Sequence, residues 1–475
     1  MSTINRIRLL IFIVDLAFIY WLYFENTVNT SHNDSIALSM LIHSGAFAVS
    51  LTYFKFLKIP FVSVLSFFNI FGFAIAPANV DFQLFQLGAF KPEIYSEINL
   101  GYIVFYVFHF IFLNVQVNKH SIKRVVQINE FDEEKITKQL VILQNYSLMF
   151  YALSKILTLP ISGLNEFVEL LTVGSLMIGF FLGVNSWIKN LFTVAILLFI
   201  VVQIAVSGLI YPLIFFGVFI LALIFLFGLT SYIAKITMSF GVILGIVFSV
   251  LFNPVKMEYR QIDFSGQTIY DRVLVMQDLI TSSKEKNVND IEEDKTFFWR
   301  LTYPMSAISL VKEKTPSKVP YWNGESYINL LYKFIPRFIW KDKPSEEMGQ
   351  LFGHRYEILN KWNFTTSMNT PIIAEAYMNF GMVGFFGMYI LMSYILARAF
   401  IRSNIKNRLE ANSLRVLLSG LNVAITLTFL IQWESNFSMI FGKLIILFIV
   451  NQLIEWLAFR KQDSNDKLLH LNLIK

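Results

Sequence analysis

Glu375 and Asn379 stand four residues apart, a spacing that puts a carboxylate and a carboxamide on one face of a helix. They fall at the start of a long apolar run, where a carboxylate is costly unless it faces a cavity or a partner. Such a group can accept a proton from a substrate hydroxyl; equally, it can be a structural acid paired with an arginine. Upstream, Gly353-His354-Arg355-Tyr356 holds an imidazole able to act as a general base near neutral pH, although a lone loop histidine is more often simply solvated. The run Pro336-Arg337-Phe338-Ile339-Trp340-Lys341-Asp342-Lys343-Pro344 sets cations among aromatic rings. Arginine offers phosphate a two-pronged fork and lysine a point charge, so this run reads either as a clamp on a lipid pyrophosphate or as an interfacial loop attracted to headgroups. Glu292-Glu293-Asp294 is better read as a solvated charge run than as a cation site, and His354 lacks a second histidine or cysteine nearby, so no metal is expected.

The elements that must position these residues are read from hydropathy. Of 475 residues, 55% are apolar, 49 are phenylalanine and none is cysteine. Disulfides, thiolate metal sites and cysteine nucleophiles are therefore excluded. A net charge of +6, placed mainly in short connections and at the C-terminus, reads as a topology signal and not as nucleic-acid binding. The first apolar stretch, Arg8 to Phe24, lacks a small-residue cleavage site after it and is expected to remain as a helix.

Runs of apolar residues long enough to cross a bilayer predict spans near 7–24, 36–54, 60–77, 99–116, 141–159, 166–184, 188–207, 210–229, 233–252, 372–397, 413–432 and 438–457. The fold class expected is an all-α polytopic integral membrane protein of about twelve transmembrane helices. It divides into an N-terminal bundle of about nine spans (1–252), a long loop (253–371), and about three C-terminal spans with a tail (372–475). Arg6, Arg8, Lys55, Lys58, Lys119, Lys123, Arg124, Arg398, Arg402, Lys406, Arg408, Arg460 and Lys461 all fall on one side of this arrangement, which the positive-inside rule makes the cytoplasm. Both termini are then cytoplasmic and the loop lies outside. His43 and His109 are expected as packed groups within spans. Asp15 must pair or face water, and Lys155 and Lys443 are expected to reach outward.

The loop carries 16 Lys/Arg and 15 Asp/Glu. Its stretch 296–312 is amphipathic and aromatic, and is expected to lie along the membrane surface as a short helix; 321–344 mixes aromatics and cations that suit the headgroup level. A Walker-type phosphate loop is absent from the sequence, so the energy for any reaction would come from an activated substrate.

In its order of parts the chain resembles the O-antigen polymerase family, the oligosaccharide repeat-unit polymerases of bacterial surface polysaccharides. Many spans are followed by one long external loop with the Pro336–Pro344 segment, a Thr365-Thr366-Ser367 approach, and a Glu-x-Tyr-x-Asn-Phe-Gly-x-x-Gly start to the next span, Glu375 to Gly384. Residues 255–400 carry the specific part. Where many relatives have a Ser-Arg-Gly-like turn, Ser207-Gly208 lacks the arginine. The resemblance implies a GT-C-like membrane glycosyltransferase of the bacterial inner membrane, without metal or cofactor. It would move a growing glycan from undecaprenyl pyrophosphate to a hydroxyl of the next lipid-linked repeat unit. It further implies Glu375, then His354, as catalytic base, and Arg260, Arg300, Arg337, Lys341, Lys343, Arg355, Tyr377 and Asn379 as groups binding substrate and pyrophosphate. Partners implied are the lipid-linked oligosaccharides, membrane lipids, and a chain-length regulator and flippase of the same pathway. An O-antigen ligase shares the donor and differs in acceptor. A flippase for the same lipid-linked sugar fits the span count, but the long charged loop and the lack of an internal repeat argue against it.

Overall fold

The computed structural model describes residues 3–26, 30–52, 61–80, 92–119, 133–157, 164–181, 183, 185–206, 219–220, 223, 255, 258–259, 262, 268–283, 295–333, 335, 340–342, 348–363, 366–409, 421, 425 and 435–449. Among them the protein is all-α. The helices are α1 (Thr3–Phe24), α2 (Asn33–Ser50), α3 (Phe61–Ile70), α4 (Pro92–Lys119), α5 (Glu133–Leu157), α6 (Leu164–Phe181), α7 (Trp187–Val206), α8 (Ile269–Ser283), α9 (Lys295–Lys314), α10 (Glu325–Lys333), α11 (Met348–Arg355), α12 (Ile372–Leu409) and α13 (Phe437–Ile449). Three segments are long and apolar enough to cross a membrane: Ile4–Phe24, Glu93–Val115 and Ile372–Arg398. They mark the chain as a membrane protein. The span expected at 233–252, and most of those at 210–229 and 413–432, lie outside the described residues.

The core is built around α12, which packs along α4. Gly101 makes the approach close: a Cβ there would fall 2.3 Å from the Tyr389 ring. Tyr102 then meets Tyr389 edge-on with centroids 5.2 Å apart. Helix α3 runs into a π-helical segment, Phe71–Ile75, and a last turn at Ala76–Ala78. A wide turn of this kind disturbs the regular backbone ladder, and the Tyr95 hydroxyl of α4 donates to the Phe73 carbonyl there. Asp15, mid-way along α1, is buried and accepts the Ser44 hydroxyl of α2 at 2.8 Å. His43 and His109 are packed groups, as expected. Lys443 is not outward-reaching: it is buried on α13.

The loop is less peripheral than its composition predicts. The stretch expected on the membrane surface, 296–312, belongs to α9, and Met305, Ile308 and Val311 are buried where α9 meets α12. Successive residues 305–311 are all buried, so protein on several sides, not a lipid surface on one, takes the apolar positions of this helix. Helix α8 begins with a capping box: the Thr268 N–H donates to Asp271 Oδ2 at 2.9 Å, and the Asp271 N–H to Thr268 Oγ1 at 3.3 Å.

Candidate functional site

The site forms where α12 is broken. Phe380 (φ −137°, ψ 17°) and Gly381 (φ 60°, ψ −142°) leave helical geometry, so Ile372–Asn379 is a separate two-turn segment ahead of the main span. Two glycines permit this. Gly381 has the left-handed φ that disfavours side chains, and a Cβ on it would lie 2.8 Å from the Tyr321 hydroxyl oxygen. A Cβ on Gly384 would lie 2.1 Å from the Ala376 carbonyl oxygen.

A break strips carbonyls of their helical donors, and those groups need others. The loop preceding α10 supplies them. The Trp322 N–H donates to the Met378 carbonyl at 3.0 Å. The Gly324 N–H donates to Asn379 Oδ1 at 2.8 Å. Asn379 Nδ2 donates to Ser326 Oγ and to the Glu375 carbonyl, both at 2.8 Å. Asn323 (φ 49°) and Gly324 (φ 91°) make the turn that brings these groups in, as an Asn-Gly pair does well.

Glu375 is fully buried. Its Oε2 accepts the Phe437 N–H at 2.6 Å, at the first turn of α13, where exposed N–H groups and the helix dipole favour a negative charge. Asn436 caps the same end, Oδ1 accepting from the Met439 N–H at 2.9 Å. Glu375 Oε1 is buried and takes no formed hydrogen bond. One carboxylate oxygen is thus committed to the fold and the other is not, with the Ser326 hydroxyl beside the carboxyl. The Tyr327 ring packs on Phe437 at 4.4 Å. Burial, with the Glu375 charge adding to it, pushes the Tyr327 phenol above its ordinary range.

A cationic, aromatic edge borders this node. The Arg355 guanidinium lies 4.6 Å from the Trp322 ring centroid, donates to the Pro320 carbonyl at 3.3 Å, and approaches Glu325 at 3.8 Å. Lys312 of α9 sits 5.6 Å from the Tyr377 ring centroid and forms an ion pair with Glu97 of α4. Desolvation lowers the Lys312 pKa. Tyr321 and Tyr377 rings are 6.5 Å apart.

Of the residues expected at a site, the structure brings Glu375, Tyr377, Asn379 and Arg355 to this one region. His354 precedes Arg355 at the end of α11 and is half-buried. Lys341 is exposed. Arg260, Arg337 and Lys343 lie outside the described residues, and Arg300 is placed only as a backbone position on α9. Sequence reasoning passed over Lys312, Trp322, Ser326 and Phe437. The Asn323-Gly324 pair was a readable turn signal for the second and third; Lys312 and Phe437 carried none. Among the described residues, groups of three or more metal-ligating side chains do not occur.

Residues 7–409 match a family described as Domain of unknown function (DUF8712), and the chain belongs to that family. None of the curated proteins and none of the solved structures matches the chain.

Proposed function

We propose that the chain polymerises lipid-linked oligosaccharide repeat units, working in the bacterial inner membrane with about twelve spans and its long loop outside the cytoplasm. The observation that carries this reading is the buried Glu375 carboxylate, with Oε1 lacking a formed hydrogen bond, on the broken start of a membrane-length helix that also binds the backbone of Trp322, the ring on which Arg355 stacks. Carboxylate, cation and aromatic face are the three groups that transfer of a sugar from a lipid pyrophosphate uses. A hydroxyl oxygen of the acceptor repeat unit attacks the anomeric carbon of the donor. The bond from that carbon to the pyrophosphate oxygen breaks, and the pyrophosphate leaves with the electron pair. The hydroxyl proton passes to Glu375 Oε1. Arg355, with Arg260, Arg300, Arg337, Lys341 and Lys343, takes up the charge of the leaving group. Tyr377 and Asn379 shape the place where the sugar rests, and His354 is the second choice of base.

Glu375 is enclosed, and a lift of the Trp322–Ser326 turn, which is bonded to the same helix segment, is the route by which the acceptor would reach it. The hydrogen bonds that hold this turn to α12 are few enough for ligand binding to replace them.

Glu375→Gln tests the assignment because it keeps the size and the oxygen that Phe437 needs while losing basicity. With purified protein and a lipid-linked repeat unit, the variant is expected to lose polymer formation by about 10²–10⁴-fold while eluting and melting like the parent. Polymer at the parent rate would remove Glu375 from the chemistry. Parent protein that passes the glycan only to a different acceptor would be a ligase, and parent protein that only moves the lipid across the bilayer would be a flippase.

A further inference from the structure

Helix α10 is amphipathic, and the protein covers only part of its apolar side. Ser326 is buried against α12, and Tyr327 packs on Phe437. Ile328 and Leu331, neighbours one turn apart, face away from the protein and are 52% and 77% exposed. The patch does not end with the helix. The Tyr327 ring lies 6.0 Å from Phe380, and a Cβ on Gly324 would come within 3.4 Å of the Phe380 ring. The start of α10 therefore abuts the break in α12, where Phe380, Met382 and Val383 are exposed, the last at 81%. Beyond the break, exposed apolar side chains continue along the span at Leu391 and Tyr394.

Large apolar residues gathered at a surface need a cover, and here the cover is identified by continuity. The patch runs without interruption into the exposed face of Ile372–Arg398, a helix apolar and long enough to cross a bilayer. Before the break, residues 371–379 are all buried in protein; exposure begins only at Phe380. At the start of α10, Asn323 and Glu325 are exposed and polar. Exposed apolar side chains on a short amphipathic helix beside a span suit a helix lying in the plane of a membrane surface.

We propose that α10 rests on the lipid bilayer, with Ile328, Leu331, Phe380 and Val383 in contact with acyl chains, and that the Phe380–Gly381 break marks the level of the membrane surface. The Trp322–Arg355 stack, directly before α10, then stands at the height of the lipid headgroups. The inference does not depend on the reaction proposed above: it requires only that the chain be in a bilayer.

The chain has no cysteine, so single labelling sites can be introduced without background. Ile328→Cys, Leu331→Cys, Val383→Cys and, as the aqueous reference, Glu325→Cys would each carry a nitroxide in full-length protein reconstituted into phosphatidylglycerol/phosphatidylethanolamine nanodiscs. Collision with oxygen, which concentrates in acyl chains, is compared with collision with a water-soluble nickel chelate. Oxygen is expected to dominate at 328, 331 and 383, and nickel at 325. Nickel dominance at 328 and 331 would overturn the proposal in favour of a solvated helix. Exclusion of both reagents there would overturn it in favour of a covering protein, such as a second copy of this chain. These side chains point away from the fold, so the parent's elution profile is expected in every variant. A shifted profile at 328 or 331 would show a packing role and also count against lipid contact.

Discussion

Two of the buried polar clusters among the described residues differ in what they are bonded to. In the first, α2, α3 and α4 bring together His43, Asn69 and Tyr106. The Tyr106 hydroxyl lies 2.8 Å from His43 Nδ1 and accepts from Asn69 Nδ2 at 3.2 Å. Aromatic rings enclose the histidine, with Tyr102 edge-on at 4.6 Å. Here the polar side chains bond to one another and not to backbone groups, and His43 Nε2 is left buried without a partner. In the second cluster, Glu375, Asn379 and Ser326 are joined to backbone N–H and carbonyl groups left over by a helix break, a helix start and a tight turn. A cluster of the first kind holds continuous helices together. A cluster of the second kind holds together chain segments that are far apart in sequence, and it can come apart without unwinding any helix interior. That is the property a substrate-admitting site needs.

The sharpest way to break the comparison is to deny the second cluster its backbone break. A Cβ at Gly384 collides with the Ala376 carbonyl, which is main chain and cannot rotate away. Gly384→Ala is expected to cost about 1–3 kcal/mol or more by overpacking, and in a marginal membrane protein that shows as loss of monodisperse material in detergent. Gly387→Ala, on the same helix with open space at its Cβ, is expected to melt within about 0.5 kcal/mol of the parent. If both variants melt alike by tryptophan fluorescence, the break is not fixed by its glycines.

A second effect separates the clusters by bond count. Asn379→Leu keeps the volume but strands the Gly324 N–H and the Ser326 hydroxyl and removes a donor from the Glu375 carbonyl. The expected loss is about 2–4 kcal/mol. Asn69→Leu removes the single bond given to Tyr106, and about 1 kcal/mol is expected. Equal losses in thermal unfolding would mean that the two clusters carry their folds in the same way.

Much of this was legible in the sequence. Apolar runs mark α1, α4 and α12 because a span's length is set by the bilayer, not by its neighbours. The four-residue spacing of Glu375 and Asn379 gave their shared helix segment, and the two glycines after them pointed to close backbone approach. The break itself was not legible, since Gly381 and Gly384 fit an unbroken packed helix equally well. Neither was the docking of α9: its amphipathic pattern says that one side is apolar but not whether protein or lipid covers it. The structural alternative for Glu375 gave it an arginine as partner; Oε2 instead accepts the N–H of Phe437, 62 residues away. Backbone donors carry no residue signature, so side-chain chemistry could not have found this one.

The smallest expected effect supplies the baseline against which both clusters are measured. Glu357 is exposed, and Lys314 Nζ donates to its Oε2 at 2.9 Å and to the Tyr356 carbonyl at 2.6 Å. The hydrogen bond from Lys314, and then its charge, hold the Glu357 carboxyl below its ordinary 4.5. A carboxyl whose pKa is lower folded than unfolded stabilises the fold fully above the ordinary value, and the contribution fades as pH falls through the lower folded value. Glu357→Gln should therefore be slightly less stable than the parent at neutral pH, and the gap should close below pH 4.5. Because water screens the pair, the gap should also shrink with added salt. A gap that widened in acid would reverse the sign and show that the ion pair does not form. Neither buried cluster should respond to salt in this way, since their partners are backbone amides and rings out of reach of mobile ions.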